Sequence, residues 1–357
     1  MKITFFITTL GGGGAERVVC NLANYLVNNN HSVSIIVLRG DESKYHLDSR
    51  VNTIFICNYF NANIGSILRH VKEIEISRRI LKKLDSDECL VSFLELPIAM
   101  SLLFRRDIPC KLIFSERNNP DNYSKIYRFI FRYFCNRADG AVFQTTVVQD
   151  WYNTFCNKKK VIPNAINDVF LEAPYAYRGG NKIVTVGRLN SQKNQKLLIE
   201  SFAIVSRDYP QYRLFLYGDG PLKSELQLLV NNLGLTDKVA FGGFKNDIIT
   251  ELMDADLFVL SSDFEGMPNA LMEAMALGLP CISTDCAGGG ARELISNMEN
   301  GLLVPCDDKK RLSDAIKWVL NNDELRERIS INARYIRISN SSLIVYKKWE
   351  KFIFSIY

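Results

Sequence analysis

The chain has 357 residues, 47% of them apolar and 23% charged. This excludes a disordered or fibrous protein and suits two domains of roughly 150–200 residues each. Its net charge of +5 is unevenly held. Residues 1–170 carry 22 Lys+Arg against 16 Asp+Glu, a balance of +6, and residues 171–357 carry 22 against 23, a balance of −1. The N-terminal half is therefore expected to meet an anionic partner, either a membrane surface or nucleic acid.

The opening "MKITFFITTL" imitates a secretory signal but has no small-residue cleavage site and runs into "GGGGAERVV", so it reads as strand, glycine loop and helix. Further short β-branched runs follow at 32–38, 53–57, 89–94, 111–116, 140–145 and 160–167, with helical patterns between them. The stretch "DVFLEAPYAYRGGN" (168–181) holds Pro and Gly without periodicity, and residues 169–181 read as a linker between domains 1–168 and 182–340. A second series of strands follows at 182–189, 212–220, 238–244, 255–262, 279–284 and 301–305. The last pattern, 341–357, is an amphipathic helix with no strand after it, expected to pack back on the N-terminal domain. Alternating strands and helices predict an α/β chain of two doubly wound parallel sheets, with the ligand in a cleft between them. No run nears the roughly 18 apolar residues of a membrane span. Nine cysteines with no Cys-x-x-Cys pair read as free thiols of a reducing cytoplasm.

Four stretches carry candidate chemistry. Gly11, Gly12, Gly13 and Gly14 sit between a strand and a helix, where backbone N–H groups face an anion, but Glu16 and Arg17 stand where a dinucleotide fingerprint needs its third glycine. The loop is either merely flexible or open to a phosphate or sugar. Arg188 and Lys193, in "VGRLNSQKNQ", follow a strand and are either solvated surface charges or a clamp for a diphosphate. Gly218 and Gly220 flank Asp219 in another strand-end turn. In "SSDFEGMPNALMEAMALGLPCIST" (261–284), Pro268 suits a first helical turn, so the N–H groups of Asn269, Ala270 and Leu271 are expected to point out toward a phosphate. Glu265 lies in the loop before that helix, next to Gly266, and Glu273 about two turns on. The pair is placed to take hydroxyls of two sugars, one of them a ribose, with a diphosphate between.

"EGMPNALMEA" resembles the E-x7-E motif of retaining GT-B glycosyltransferases, specifically glycosyltransferase family 4. "GRLNSQKNQ", "LGGGGAERVVCNLANYL", "VIPNAIN" and "YGDGPLKSEL" resemble further segments of that family in the right order, so the resemblance covers roughly residues 1–320. It implies a nucleotide-sugar donor, such as a UDP-sugar, and transfer with retention, without a metal or other cofactor. It implies that Arg188 and Lys193 hold the diphosphate, Glu265 meets the donor sugar and Glu273 the ribose. Gly12, Gly13 and Gly14 would approach the donor from the other domain. "DAD" (254–256) runs into a strand and reads as structural.

Many relatives carry a histidine after the strand corresponding to "KLIFSE", whereas this chain reads "FSERNNP", and its histidines, His31, His46 and His70, lie elsewhere. Glu116 and Arg117 are therefore placed on the acceptor side. "YSKIYRFIFRYFCNR" (123–137) sets Lys125, Arg128 and Arg132 on one helical face. The helix is either buried with one wet basic side or lies on an anionic bilayer, with "SRRILKKL" (77–84) extending its charge. No nucleic-acid recognition module accompanies the patch. The resemblance implies a bacterial enzyme of O-antigen, capsule or exopolysaccharide synthesis on the inner face of the cytoplasmic membrane, acting on a polyprenyl-diphosphate-linked glycan. A nucleotide-sugar epimerase on the same fold, and a non-catalytic sugar- or lipid-binding protein, remain alternatives.

Overall fold

The computed structural model describes residues 1–59, 65–152, 158–175, 179–245 and 247–357. The chain divides into two compact units, Met1–Asn164 with Val345–Tyr357, and Ala165–Ile344. In the first, seven strands form one parallel sheet: β1 (Lys2–Ile7), β2 (Ser32–Val37), β3 (Asn52–Phe55), β4 (Glu88–Phe93), β5 (Lys111–Ser115), β6 (Gly140–Phe143) and β7 (Lys159–Val161). Their order is β3-β2-β1-β4-β5-β6-β7. The second unit has six: β8 (Lys182–Val186), β9 (Arg213–Tyr217), β10 (Val239–Gly243), β11 (Leu257–Leu260), β12 (Cys281–Thr284) and β13 (Leu302–Val304). These run in the order β10-β9-β8-β11-β12-β13. Helices cover the sheets, so strands such as "KITFFI" and "ECLVSF" are buried on both faces and read as unbroken apolar runs.

In each sheet the winding reverses once, between β1 and β4 and between β8 and β11. A doubly wound sheet binds its ligand outside the carboxyl ends of the strands at such a reversal. The loops to inspect are therefore those after β1, β4, β8 and β11.

Two expectations need correction. Residues 169–181 are not a free linker. The change of unit falls between Asn164 and Ala165. Asp168–Glu172 forms a short helix, capped when the Asn167 side chain accepts from the Val169 amide. Phe170 and Ile166 are buried in the apolar core of the second unit, so a side-chain anchor overrides the local Pro/Gly signal. Residues 176–178 of that stretch lie outside the described residues. The second correction concerns Glu273. The helix is Asn269–Leu277, so Glu273 stands in its second turn rather than two turns in.

The closing helix, Ser342–Ile356, contributes Trp349 against Phe93, with ring centroids 5.6 Å apart. Its Glu350 meets His31 at 3.0 Å, which gives that histidine a structural partner. Asp256 of "DAD" is buried and accepts from the Lys182 amide at 2.9 Å, also a structural use.

Candidate active site

After β8 the chain turns through Gly187, Arg188 and Leu189. The Leu189 amide donates to Asp219 O at 3.0 Å, which carries the β8–β9 pairing into the loops. A Cβ on Gly218 would overlap Gly187 O, and one on Gly220 would overlap Leu189 O. Both glycines are thus required for the two strand-end loops to pack together, a tighter duty than open approach by a ligand. Arg188 stays exposed, and its guanidinium makes no ion pair among the described residues. Lys193 ends the single 3₁₀ turn Ser191–Lys193, held when the Asn190 side chain accepts from its amide at 3.2 Å. Asn194 then takes a left-handed conformation (φ 42°) and caps the helix Gln195–Asp208.

This segment is laced to the one after β11. The Asp263 amide donates to Gln192 O (2.9 Å), Ser261 Oγ to Lys193 O (3.0 Å) and Asn194 Nδ2 to Asp263 Oδ1 (2.7 Å). The result brings two predicted residues together: Lys193 Nζ lies 2.5 Å from Glu265 Oε1. Ser262 Oγ donates to the same oxygen at 2.7 Å, and Glu265 is only 6% exposed. A buried carboxylate with a cation and a hydroxyl bonded to the same oxygen is fixed in direction.

Beneath Glu265 runs a loop that the sequence reading passed over, "CAGGGARE" (286–293). The Glu265 amide donates to Ala287 O at 2.9 Å, and the Ala287 amide to Asp263 O at 3.2 Å. Gly288 and Gly289 have φ of +89° and +74°, and a Cβ on Gly290 would overlap Gly266 O and press on Pro268. Three glycines between a strand and a helix were the available signal, the same pattern that drew attention to Gly11–Gly14. They let this loop pass directly under the Gly266–Pro268 turn. Pro268 is the N-cap of Asn269–Leu277, and Met272 N to Pro268 O (3.1 Å) begins the intrahelical ladder. The amides of Asn269, Ala270 and Leu271 therefore precede that ladder. Glu273 is 9% exposed on the same helix.

In the first unit, Gly12 adopts φ +109°, and Gly13 caps the helix Gly14–Asn28. A Cβ on Gly13 would collide with the Glu16 carboxylate, which also accepts from Thr9 Oγ1 at 2.9 Å. An acid in the first turn is favoured by the helix dipole.

Glu116 and Arg117 revise the acceptor-side reading. Glu116 is fully buried and accepts from Tyr123 Oη (2.6 Å), Tyr152 Oη (2.9 Å) and the amides of Arg117 (2.9 Å) and Asn118 (3.1 Å). Burial pushes its pKa up against the pull of those donors. Arg117, 6% exposed, lies over the stacked rings of Phe93 and Trp349, 5.0 and 5.4 Å from their centroids, and donates to Asn164 Oδ1 at 3.1 Å. Desolvation lowers its pKa to about 9. Both side chains serve the interior, and the residue of this loop that reaches solvent is Asn118. Lys125, Arg128 and Arg132 are all exposed on the helix Lys125–Phe134. Ile126, Phe129 and Tyr133 of the same helix are exposed as well.

Comparison with known proteins agrees with this geometry. Residues 12–170 match the family model described as glycosyltransferase family 4, and residues 172–335 that of glycosyl transferases group 1. A Campylobacter jejuni protein is 30% identical over 340 residues, covering 94% of this chain and 93% of its own length. It is described as a GalNAc-α-(1→4)-GalNAc-α-(1→3)-diNAcBac-PP-undecaprenol α-1,4-N-acetyl-D-galactosaminyltransferase. The amylovoran biosynthesis glycosyltransferase AmsD of Erwinia amylovora is 23% identical, over 94% of this chain and 95% of its own. Among solved structures, Anabaena HepE in complex with UDP superposes with a TM-score of 0.82 at 19% identity, covering 99% of this chain and all of that one. The chain belongs to glycosyltransferase family 4 and has the GT-B fold. By family it is a glycosyltransferase.

Proposed function

We propose that the protein transfers a sugar, with retention, from a UDP-sugar to a saccharide carried on a lipid diphosphate, in the assembly of a bacterial surface polysaccharide. The observation that carries this reading is the Lys193–Glu265 pair beside exposed Arg188, at the reversal point of the second sheet. Two cations and a helix N-terminus are a set suited to a diphosphate, and they oppose the charge that builds on it as it leaves. Glu265 is the one carboxylate of that set, and it is oriented before any ligand arrives. A donor diphosphate would draw Lys193 away from Glu265, leaving the carboxylate to accept from sugar hydroxyls.

In the reaction, the acceptor hydroxyl oxygen bonds to the anomeric carbon on the face that the diphosphate leaves, and its proton passes to the departing phosphate oxygen. The positive charge for this step comes from Arg188 and Lys193, so we propose that no metal is needed. The lipid-linked acceptor is suggested by the name of the C. jejuni relative, and it would place the enzyme on the cytoplasmic face of the membrane.

The test is incubation of the protein with radiolabelled UDP-sugars and a polyprenyl-diphosphate glycan. Label is expected in the lipid fraction with the donor's anomeric configuration, and equally so in excess chelator. An inverted product, label moving only between epimeric UDP-sugars, or loss of transfer in chelator would each contradict the reading.

A further inference from the structure

The helix Ser66–Leu81 buries Ile76 and Leu81 but leaves a second apolar side in water. Its inward side holds Glu73, 1% exposed and gripped by Arg39 through two bonds of 3.0 and 2.9 Å. Ser77, also buried, turns its hydroxyl back to Glu73 O at 2.6 Å. Ile67, Leu68, Val71 and Ile74 lie on the outer side, exposed by 82%, 50%, 52% and 43%. Positions 67, 71 and 74 form one stripe at helical spacing. Buried apolar area stabilises by about 25 cal/mol per Å², so a stripe left in water with polar groups inside it signals a surface that something covers.

The helix Lys125–Phe134 repeats the pattern, with Ile126, Phe129 and Tyr133 exposed by 71%, 56% and 61%. Both helices pack on the same face of the first sheet, because Ile76, Leu81 and Phe131 share one core cluster with Ile98 and Leu102 of the helix Glu95–Leu103. Each follows a parallel strand, so their first turns, which carry Ile67, Leu68 and Ile126, start from the carboxyl edge of the sheet. That is the ligand edge of this architecture.

The fringe is basic. Residues 66–83 hold Arg69, Lys72, Arg78, Arg79, Lys82 and Lys83 against Glu73 and Glu75, and residues 125–134 hold three cations and no acid. Some of this charge is balanced locally, by Lys72–Glu75 (3.1 Å), Arg79–Glu75 (3.0 Å), Arg78–Asp107 (2.7 Å) and Arg128–Asp121 (3.6 Å). Lys82, Lys83, Lys125 and Arg132 are exposed as well.

We propose that these two helices dock the first unit on an anionic lipid bilayer, the apolar side chains entering the interface and the basic ones meeting the headgroups. Charge decides the occupant. A second copy of the chain would bring the same excess of cations against this surface, whereas anionic headgroups complement it. No helix of the described residues is long and apolar enough to cross a membrane, so this would be an attachment at the surface. The proposal rests on the fold of the first unit. It gives the lipid-linked acceptor of the previous section a physical setting but does not depend on catalysis.

The test is co-sedimentation of the full chain, without nucleotide, with phosphatidylglycerol-containing or pure phosphatidylcholine vesicles. Ile67→Asp/Val71→Asp and Phe129→Asp are examined beside the wild type, and these exposed sites should leave the circular dichroism spectrum unchanged. Wild-type binding to the anionic vesicles is expected to exceed that to neutral ones by about tenfold or more and to weaken with salt. Each variant should lose about tenfold or more. Equal binding to both vesicles, or variants that bind like the wild type, would overturn the proposal. So would a concentration-dependent dimer of the wild type that the same variants abolish. UDP binding by the variants, measured in parallel, separates failure here from failure of the donor-site reading.

Discussion

Glu265→Ala is expected to cut sugar transfer by about 100-fold or more while leaving the affinity for free UDP within about threefold of the wild type. Glu265 has two partners, Lys193 Nζ at 2.5 Å and Ser262 Oγ at 2.7 Å, and its proposed ligand is the transferred sugar, which free UDP lacks. Removing it should therefore spare the UDP affinity or raise it slightly, because the cation that UDP must recruit is already released. Initial rates with saturating acceptor, beside calorimetry with UDP, separate the two effects. A variant that loses UDP and UDP-sugar affinity in equal measure would show Glu265 acting mainly as a brace for the loop.

The second large effect concerns a residue without a reactive group. In Gly290→Ala the new methyl overlaps Gly266 O and presses on Pro268, so the turn between Glu265 and the helix Asn269–Leu277 must move. Overpacking of this kind costs about 1–3 kcal/mol. Because the displaced turn carries both the carboxylate and the helix N-terminus, donor affinity should fall about tenfold or more, more than the stability loss alone would produce. Gly234→Ala is the control. Its φ of +66° imposes a strain of about 1 kcal/mol, but its Cβ would enter open space. It should lower the unfolding midpoint modestly and leave UDP-sugar binding intact. Equal donor affinity in the two variants would contradict the role given to the 286–293 loop.

The strands were legible because parallel strands buried on both faces appear as β-branched runs, and each of the thirteen overlaps a run read from the sequence. The pairing of Lys193 with Glu265, 72 positions apart, follows once both are placed at carboxyl ends of neighbouring strands, β8 and β11. Burial of charge was not legible. Nothing local to "SERNNP" tells that Glu116 will be met by hydroxyls 7 and 36 positions away, or that Arg117 will lie over two stacked rings. The stretch 168–175 misled because Pro174, with Gly179 and Gly180 after it, masks a helix held by one cap and one buried Phe. Periodicity identifies an apolar stripe but not the direction it faces. The outward stripe of Ser66–Leu81 therefore emerged only when Glu73 was seen inside.

The most direct test of the donor site is calorimetric titration of the wild type and Arg188→Ala with UDP, GDP and ADP, their sugar conjugates, and NAD. The account predicts that a UDP series binds the wild type and that Arg188→Ala weakens UDP and UDP-sugar alike by about 30-fold, or about 2 kcal/mol, as expected for a lost charge-assisted contact. If UDP fails to bind, if only NAD binds, or if Arg188→Ala leaves the UDP affinity unchanged, the diphosphate site assigned to Arg188 and Lys193 is wrong.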